Sequence, residues 1–332
     1  MDIFIKSFNR VYYLDRCLHS LSIYLKNFEG KIIILDDGTP QKYLDAILEK
    51  YSNVIINKSE HYEIKSKLLE NQNYNLPQII PSKLWFESVS NASDYFIILE
   101  DDMWFTSEID CKQIEELCKQ KNIALIKMLW IGNTKILGEE IIDSNVFFEL
   151  YKPKIQYYNP TIFKLIFAKY NPIWRKILKA FNIYSKNKEL GYYSIYSVAG
   201  AIFKKEYFIA IWKNSTDKID EKMQLYNALQ FIENETVKFA KSTTEKLKTG
   251  FISSAFEKKK FSEFSVHDFN FTLNENWLKN PEFFCKNFEF DLNKNEIKAI
   301  LVTENKSDLY IEQWENWVLN FKESYRNIGC IV

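Results

Sequence analysis

The chain has 332 residues, 46% of them hydrophobic and 16% aromatic, which excludes a disordered or low-complexity protein and allows a sizeable core. Lys plus Arg and Asp plus Glu both total 44, so the overall charge points to neither a nucleic-acid nor an acidic partner. Five cysteines (Cys17, Cys111, Cys118, Cys285, Cys330), odd in number and without a C-x-x-C pair, suit reduced thiols better than a disulfide framework or a zinc site.

The N-terminal run Met1-Asp2-Ile3-Phe4-Ile5-Lys6 lacks the basic segment and long apolar stretch of a signal peptide. The longest informative uncharged stretch, Leu190 to Phe203, falls short of the ~20 residues a spanning helix needs. Together these features predict a cytoplasmic protein without a transmembrane segment.

Ile3 to Lys6 predicts a first strand, and Val11, Leu14, Leu18, Leu21 and Leu25 follow at helical spacing with Asn9 as N-cap. Lys31 to Asp36 reads as a second buried strand. Thr39-Pro40 supplies a cap and a first-turn proline ahead of Leu44, Ile47, Leu48 and Tyr51, and Val54-Ile55-Ile56 gives a third strand. Residues 60 to 80 read as loop. A helix opens at Pro81-Ser82 and runs to about Asn91, and Tyr95 to Leu99 is a fourth strand.

Gln113 to Lys121 predicts a helix and Ile123 to Leu129 a strand, after which the regularity fades. Tyr196 to Phe203 reads as strand, and Lys205 to Lys213 and Glu221 to Ile232 as helices. This alternation predicts an α/β fold with a mostly parallel central sheet flanked by helices. Ile297 to Thr303, Tyr310 to Tyr325 and Ile328 to Val332 read as strand, helix, strand. Residues 1–270 therefore form the predicted main domain, with 271–332 either an appendage or the start of a further α/β unit.

In an open parallel sheet, ligands bind beyond the carboxyl ends of the strands. Strand one ends in Ser7-Phe8-Asn9-Arg10, strand two in Asp36-Asp37-Gly38-Thr39, and strand four in Glu100-Asp101-Asp102. Three acids directly after Phe96-Ile97-Ile98-Leu99 would be costly to bury unless paired or metal-bound. A hard divalent cation such as Mg2+ or Mn2+, held by one or two carboxylates plus substrate phosphates, is a fitting partner. The bland reading is that the acids cap the next segment or face solvent.

The ordered set Ser7-Phe8-Asn9-Arg10, Tyr13-Leu14-x-Arg16-Cys17-Leu18-x-Ser20-Leu21, Ile34-Leu35-Asp36-Asp37-Gly38-Thr39 and Ile98-Leu99-Glu100-Asp101-Asp102 resembles the family 2 type of GT-A glycosyltransferase. The resemblance covers roughly the first 105 residues and implies a GT-A-like, Rossmann-like fold. It implies that Ser7, Asn9, Arg10 and Asp36 or Asp37 hold the nucleoside of a UDP- or GDP-sugar donor. It also makes Glu100-Asp101-Asp102 a variant of the D-x-D motif: Asp102 a Mn2+ or Mg2+ ligand, Glu100 beside it, and Asp101 a sugar or ribose contact.

Ala199 to Phe208 is similar to the acceptor-side strand and basic helix of these enzymes, which places Asp220-Glu221 where the family has an acidic pair. Either residue could be the base of an inverting transfer, with Glu221 preferred; helix-start acids that merely suit the macrodipole are the bland alternative. His267 would complete the metal shell as a late histidine does in several GT-A enzymes, though a lone histidine among apolar neighbours is more often structural. The implied acceptor is a glycan or glycolipid in bacterial surface polysaccharide synthesis. Two alternatives remain open: a sugar-nucleotide nucleotidyltransferase, whose glycine-rich loop is absent at Ser7 to Arg10, and a non-catalytic nucleotide- or glycan-binding module.

From Tyr151 to Lys188 there are nine basic residues (Lys152, Lys154, Lys164, Lys169, Arg175, Lys176, Lys179, Lys186, Lys188) and no acid, interleaved with aromatic and aliphatic residues including Tyr170. Residues 151–190 are thus predicted to be an insertion. It suits either peripheral contact with an anionic membrane at the inner face of the cell or a lid with solvated lysines. No nucleic-acid recognition motif accompanies it.

Overall fold

A computed structural model describes residues 1–168, 171–213, 216, 218–256 and 261–332. Lys169 and Tyr170 of the basic segment lie outside the described residues. Strand β1 (Asp2–Ser7), α1 (Val11–Tyr24), β2 (Ile32–Asp36), α2 (Gln41–Lys50), β3 (Val54–Lys58), α3 (Tyr62–Glu70), α4 (Ser82–Ser90) and β4 (Tyr95–Glu100) make up the first hundred residues. The apolar runs of β1, β2 and β4 are covered on both faces, which is why they are almost continuously hydrophobic.

After a short strand β5 (Met103–Phe105) come α5 (Cys111–Lys121), β6 (Ile123–Lys127), β7 (Glu140–Ser144) and β8 (Phe148–Lys152). The basic segment carries α6 (Pro160–Phe163), α7 (Pro172–Ala180) and α8 (Lys186–Gly191). It leads into β9 (Ala201–Lys204), α9 (Lys205–Trp212), α10 (Glu221–Asn234), β10 (Lys238–Ser242) and β11 (Leu247–Thr249). Helices α11 (Val266–Lys279), α12 (Pro281–Cys285), α13 (Lys294–Thr303) and α14 (Asp308–Arg326) complete the chain.

Among the described residues, nine strands form the main sheet in the order β3-β2-β1-β4-β9-β6-β10-β8-β7. The half containing β3, β2, β1 and β4 is parallel, as the alternation of elements predicts. The other half is mixed: β9 runs antiparallel to both β4 and β6, and β8 antiparallel to β10 and β7. The reversal at β9 begins at Gly200, whose φ of +66° suits a residue without Cβ and whose N–H donates to Ile98 O across 2.8 Å.

Three expectations are corrected. Residues 60–80 contain α3, which buries Tyr62, Lys65, Ser66 and Leu69 along one face. Ile297 to Thr303 is helical, because Asn293 caps it and Ile297 and Leu301, four apart, share the buried side. Ile328 to Val332 forms no strand; among its contacts are Cys330 N–H donating to Tyr325 O at 3.1 Å and Ile331 N–H donating to Ile131 O at 2.8 Å. The last sixty residues are therefore helical, and Leu273, Trp277, Leu301 and Trp314 share one apolar core with β1 and α1.

Candidate active site at the carboxyl ends of β1, β2 and β4

Strand register brings the site together. Ser7 pairs with Asp36 and Lys6 with Glu100, so the three strands end side by side. Beyond them lies a cavity of about 200 Å³, walled by Lys6, Arg10, Trp85 and the three acids and closed by Phe321 and Tyr325 of α14.

Arg10 dominates its electrostatics. One guanidinium nitrogen donates to Asp102 Oδ2 at 2.6 Å and another to Asp101 Oδ1, while Phe8 N–H donates to Asp101 Oδ2 at 3.1 Å. Burial opposes the Arg10 charge, but Asp101 and then Asp102 outweigh it and hold its pKa above the ordinary value. Burial raises the Asp101 carboxyl to about 7 against the pull of Arg10. It raises Glu100 as well, with Lys6 opposing. Asp102 Oδ1 is buried and has no hydrogen-bond partner.

Asp36 is fully buried and spends both oxygens on its own turn: Oδ1 accepts from Gly38 N–H at 2.9 Å and Thr39 N–H at 2.7 Å, and Oδ2 from the Thr39 hydroxyl at 2.6 Å. This chelated turn explains Gly38, at φ +134°, where a Cβ would meet Lys65 at 2.5 Å. Asp37, by contrast, reaches the cavity wall, its carboxylate receiving Ser59 Oγ at 2.6 Å and Lys65 Nζ at 2.5 Å. Of the two acids offered by the sequence, Asp37 is the one that lines the cavity.

Asn9 is not the N-cap of α1. It adopts φ +52° and is buried under α11, where Asn274 Nδ2 donates to its carbonyl at 3.1 Å and its Oδ1 at 3.0 Å. Its role in the structure is to hold the Ser7–Arg10 turn, while Ser7 and Arg10 line the cavity.

The expected metal shell of Asp102, Glu100 and His267 is not assembled. Among the described residues, no group of three or more His, Cys, Asp or Glu side chains could hold a metal ion. His267 is instead buried on the first turn of α11, with its ring edge-on to Phe8 at 6.1 Å and tilted on Tyr74 at 6.2 Å, and burial lowers its pKa to about 4. The partnerless oxygen of Asp102, with Glu100 beside it, does fit a cation that takes one or two protein carboxylates and completes its shell from substrate phosphates.

Asp220 caps α10, its Oδ1 accepting from Met223 N–H at 3.0 Å. Glu221, one residue on, takes a hydrogen bond from the Tyr193 hydroxyl. Ile219 just before them lines the cavity, so the start of α10 borders the site.

Lys6, Trp85 and Tyr325 belong to the cavity but escape a motif search. Lys6 Nζ donates to Val198 O at 2.8 Å and lies 4.1 Å from the Trp85 ring centroid, and burial lowers its pKa to about 8. Its signal is a lysine inside an otherwise apolar strand. Tyr325, far along the chain, lines the same cavity as the acids, and burial, then Glu100 and Asp102, raise its hydroxyl pKa.

No protein-family model matches the chain, and no curated protein does. Among solved structures, the crystal structure of S. aureus TarS 1-349 is similar at 14% identity, covering 98% of this chain and 91% of that one, with a TM-score of 0.31. The galactosyltransferase LgtC in complex with donor and acceptor sugar analogs is similar at 10% identity, covering 69% and 70%, with a TM-score of 0.35. Glucosyl-3-phosphoglycerate synthase from Mycobacterium tuberculosis, in complex with Mn2+, UDP and phosphoglyceric acid, is similar at 11% identity, covering 63% and 57%, with a TM-score of 0.31. The chain's own architecture is α/β, with a mixed central sheet flanked by helices.

Proposed function

We propose that the chain is a metal-dependent glycosyltransferase that moves a sugar from a UDP- or GDP-sugar to a glycan or lipid-linked acceptor in bacterial surface-glycan synthesis, with inversion. The observation that carries this reading is the carboxylate cluster at the end of β4, facing a cavity with a buried, partnerless Asp102 oxygen. Asp102 and Glu100 would hold Mn2+ or Mg2+, which when bound stabilises negative charge on the departing diphosphate. Ser7 and Asp37 face the nucleoside, and Asp101, fixed by Arg10 and Phe8 N–H, faces the sugar or ribose.

Glu221 is the proposed base. Its carboxylate takes the proton of the acceptor hydroxyl as that oxygen bonds to the anomeric carbon and the bond from that carbon to the diphosphate oxygen breaks. The Tyr193 hydroxyl orients the carboxylate.

A second reading is favoured by one observation. Arg10 is already ion-paired with both Asp101 and Asp102, as it would be in a nucleotide-binding module that has no need of a metal. Nucleoside diphosphate release from a panel of UDP- and GDP-sugars, with Mn2+ or EDTA, separates the two. Metal-dependent release that Asp102→Asn lowers at least a hundredfold is expected; binding of nucleotide without release under any condition would establish the module.

A further inference from the structure

Part of the aromatic content of the basic segment is turned inward. Phe163, Phe167, Tyr184 and Tyr192 pack on one another with ring centroids 4.7–5.7 Å apart, forming a small buried core. What the segment shows to solvent is aliphatic and basic, with Phe181 and Tyr158 added. On α7 only Leu178 is buried, whereas Ile173 and Ile177, with Phe181 just past the end of the helix, are 72%, 43% and 73% exposed and form one stripe at four-residue steps. Lys176 and Lys179, both exposed, run along one flank of that stripe, and exposed Ile162, Lys164 and Leu165 extend the surface toward α6.

We infer that this face is a docking surface for an anionic lipid bilayer, with α7 lying in the headgroup plane and its apolar stripe pointed into the acyl boundary. Such a stripe beside lysines is the arrangement of an interfacial helix. Among the described residues no helix is long and apolar enough to cross a membrane, so contact would be peripheral.

Charge selects this occupant over two others. The chain is neutral overall, with 44 basic and 44 acidic residues, yet residues 151–188 hold nine basic side chains and no acid. A two-fold contact between copies of this face would set that excess against itself. Single-stranded nucleic acid would require a platform of exposed rings for bases to stack on, whereas the exposed stripe has one ring, Phe181, beside the aliphatic Ile173 and Ile177. An anionic bilayer matches both the lysines and the aliphatic stripe.

The surface adjoins the site. Helix α6 and the turn after it pack on α10, and Lys164 Nζ lies 5.4 Å from the Tyr226 ring centroid on that helix. Since Ile219, just before α10, lines the cavity, docking would bring the acceptor side of the cavity toward the membrane.

Co-sedimentation of the intact chain with phosphatidylcholine vesicles, with and without phosphatidylglycerol, tests this inference and needs no nucleotide or turnover. Wild type should pellet with the anionic vesicles at low salt and be released at high salt. The triple variant Lys164→Glu, Lys176→Glu, Lys179→Glu should bind at least a hundredfold more weakly, from roughly fivefold per lysine at the surface. The double variant Ile173→Ser, Phe181→Ser, at sites exposed enough to leave folding intact, should also lose binding at low salt. Wild type left in the supernatant, variants that pellet like wild type, or retention on single-stranded oligonucleotide in place of vesicles would overturn the inference.

Discussion

The Arg10 guanidinium bridges Asp101 and Asp102, reaching Asp102 Oδ2 at 2.6 Å, so the acid cluster carries its own counter-cation. A divalent cation arriving at Asp102 competes with that arm. In wild type the metal should therefore bind well only with a diphosphate to share its charge. Arg10→Gln removes the competitor, so Mn2+ alone should raise its melting temperature more than that of wild type. Equal shifts would mean that Arg10 and the metal do not compete.

The same substitution should lower stability at pH 7 by about 3 kcal/mol, because it leaves two buried carboxylates without a partner cation. Its pH dependence follows from Asp101, whose folded pKa is raised by burial to about 7, above the ordinary 3.8. A raised carboxyl pKa gives stability that is present at low pH and lost as pH rises through the folded value. Arg10 is what pulls this carboxyl down against burial, so its removal raises the folded value further, and the deficit of Arg10→Gln should be smaller at pH 5, where the carboxyl is protonated in both proteins, than at pH 8 in urea titrations.

At the start of α10 the structure separates two acids that are adjacent in sequence. Asp220 is occupied as a cap, whereas Glu221 is held by Tyr193. Glu221→Gln should lower kcat by roughly 100-fold or more, within the usual range for loss of a general base, while nucleotide affinity is kept. Asp220→Asn, which retains a capping oxygen, should keep near wild-type turnover. The reverse order of effects in steady-state assays would move the base to Asp220.

Lys127 on β6 is buried and donates to Tyr196 O at 2.6 Å; burial lowers its pKa to about 7 from 10.5. A lysine whose folded pKa is depressed costs most at and below that value, and the cost fades as pH rises toward the unfolded value. Wild-type stability should therefore gain up to about 1.4 kcal/mol per pH unit from this group between pH 7 and pH 9.5. Lys127→Met should be the more stable protein at pH 7, with its advantage shrinking as pH rises. A constant difference across that window would show that Lys127 does not titrate there.

The parallel half of the sheet and the residues at its edge can be read from sequence because each strand is an apolar run ending in polar residues, as at Ile98-Leu99-Glu100. Chain reversal at β9 cannot, since Ala201-Ile202-Phe203 has no mark of direction. Edge strand β7 is hidden because Glu140 to Ser144 is wholly exposed and lacks an inward apolar set. Asp36 and Asp37 look equivalent in sequence; what separates them is that Asp36 is spent on its own turn, whereas Asp37 is held by Ser59 and Lys65 at the cavity wall. Contacts between chain ends leave no local pattern, so neither Tyr325 nor Asn274 carries a signal in the sequence.

Asn274 offers the sharpest test of how α11 supports the site. It is fully buried, accepts from Val11 N–H at 2.9 Å through Oδ1, and donates through Nδ2 to the carbonyl and side-chain oxygens of Asn9. Asn274→Ala would leave one buried donor and two acceptors unmet, costing about 2–4 kcal/mol. The urea midpoint should fall with the slope unchanged, since the fold stays compact. Because Asn9 is kept at positive φ by these bonds, the Ser7–Arg10 turn should loosen as well, raising KM for the donor several-fold with a smaller change in kcat. A midpoint within error of wild type would mean that water replaces Asn274, and that Thr39, whose hydroxyl accepts from Asn9 N–H at 2.8 Å, holds the turn without it.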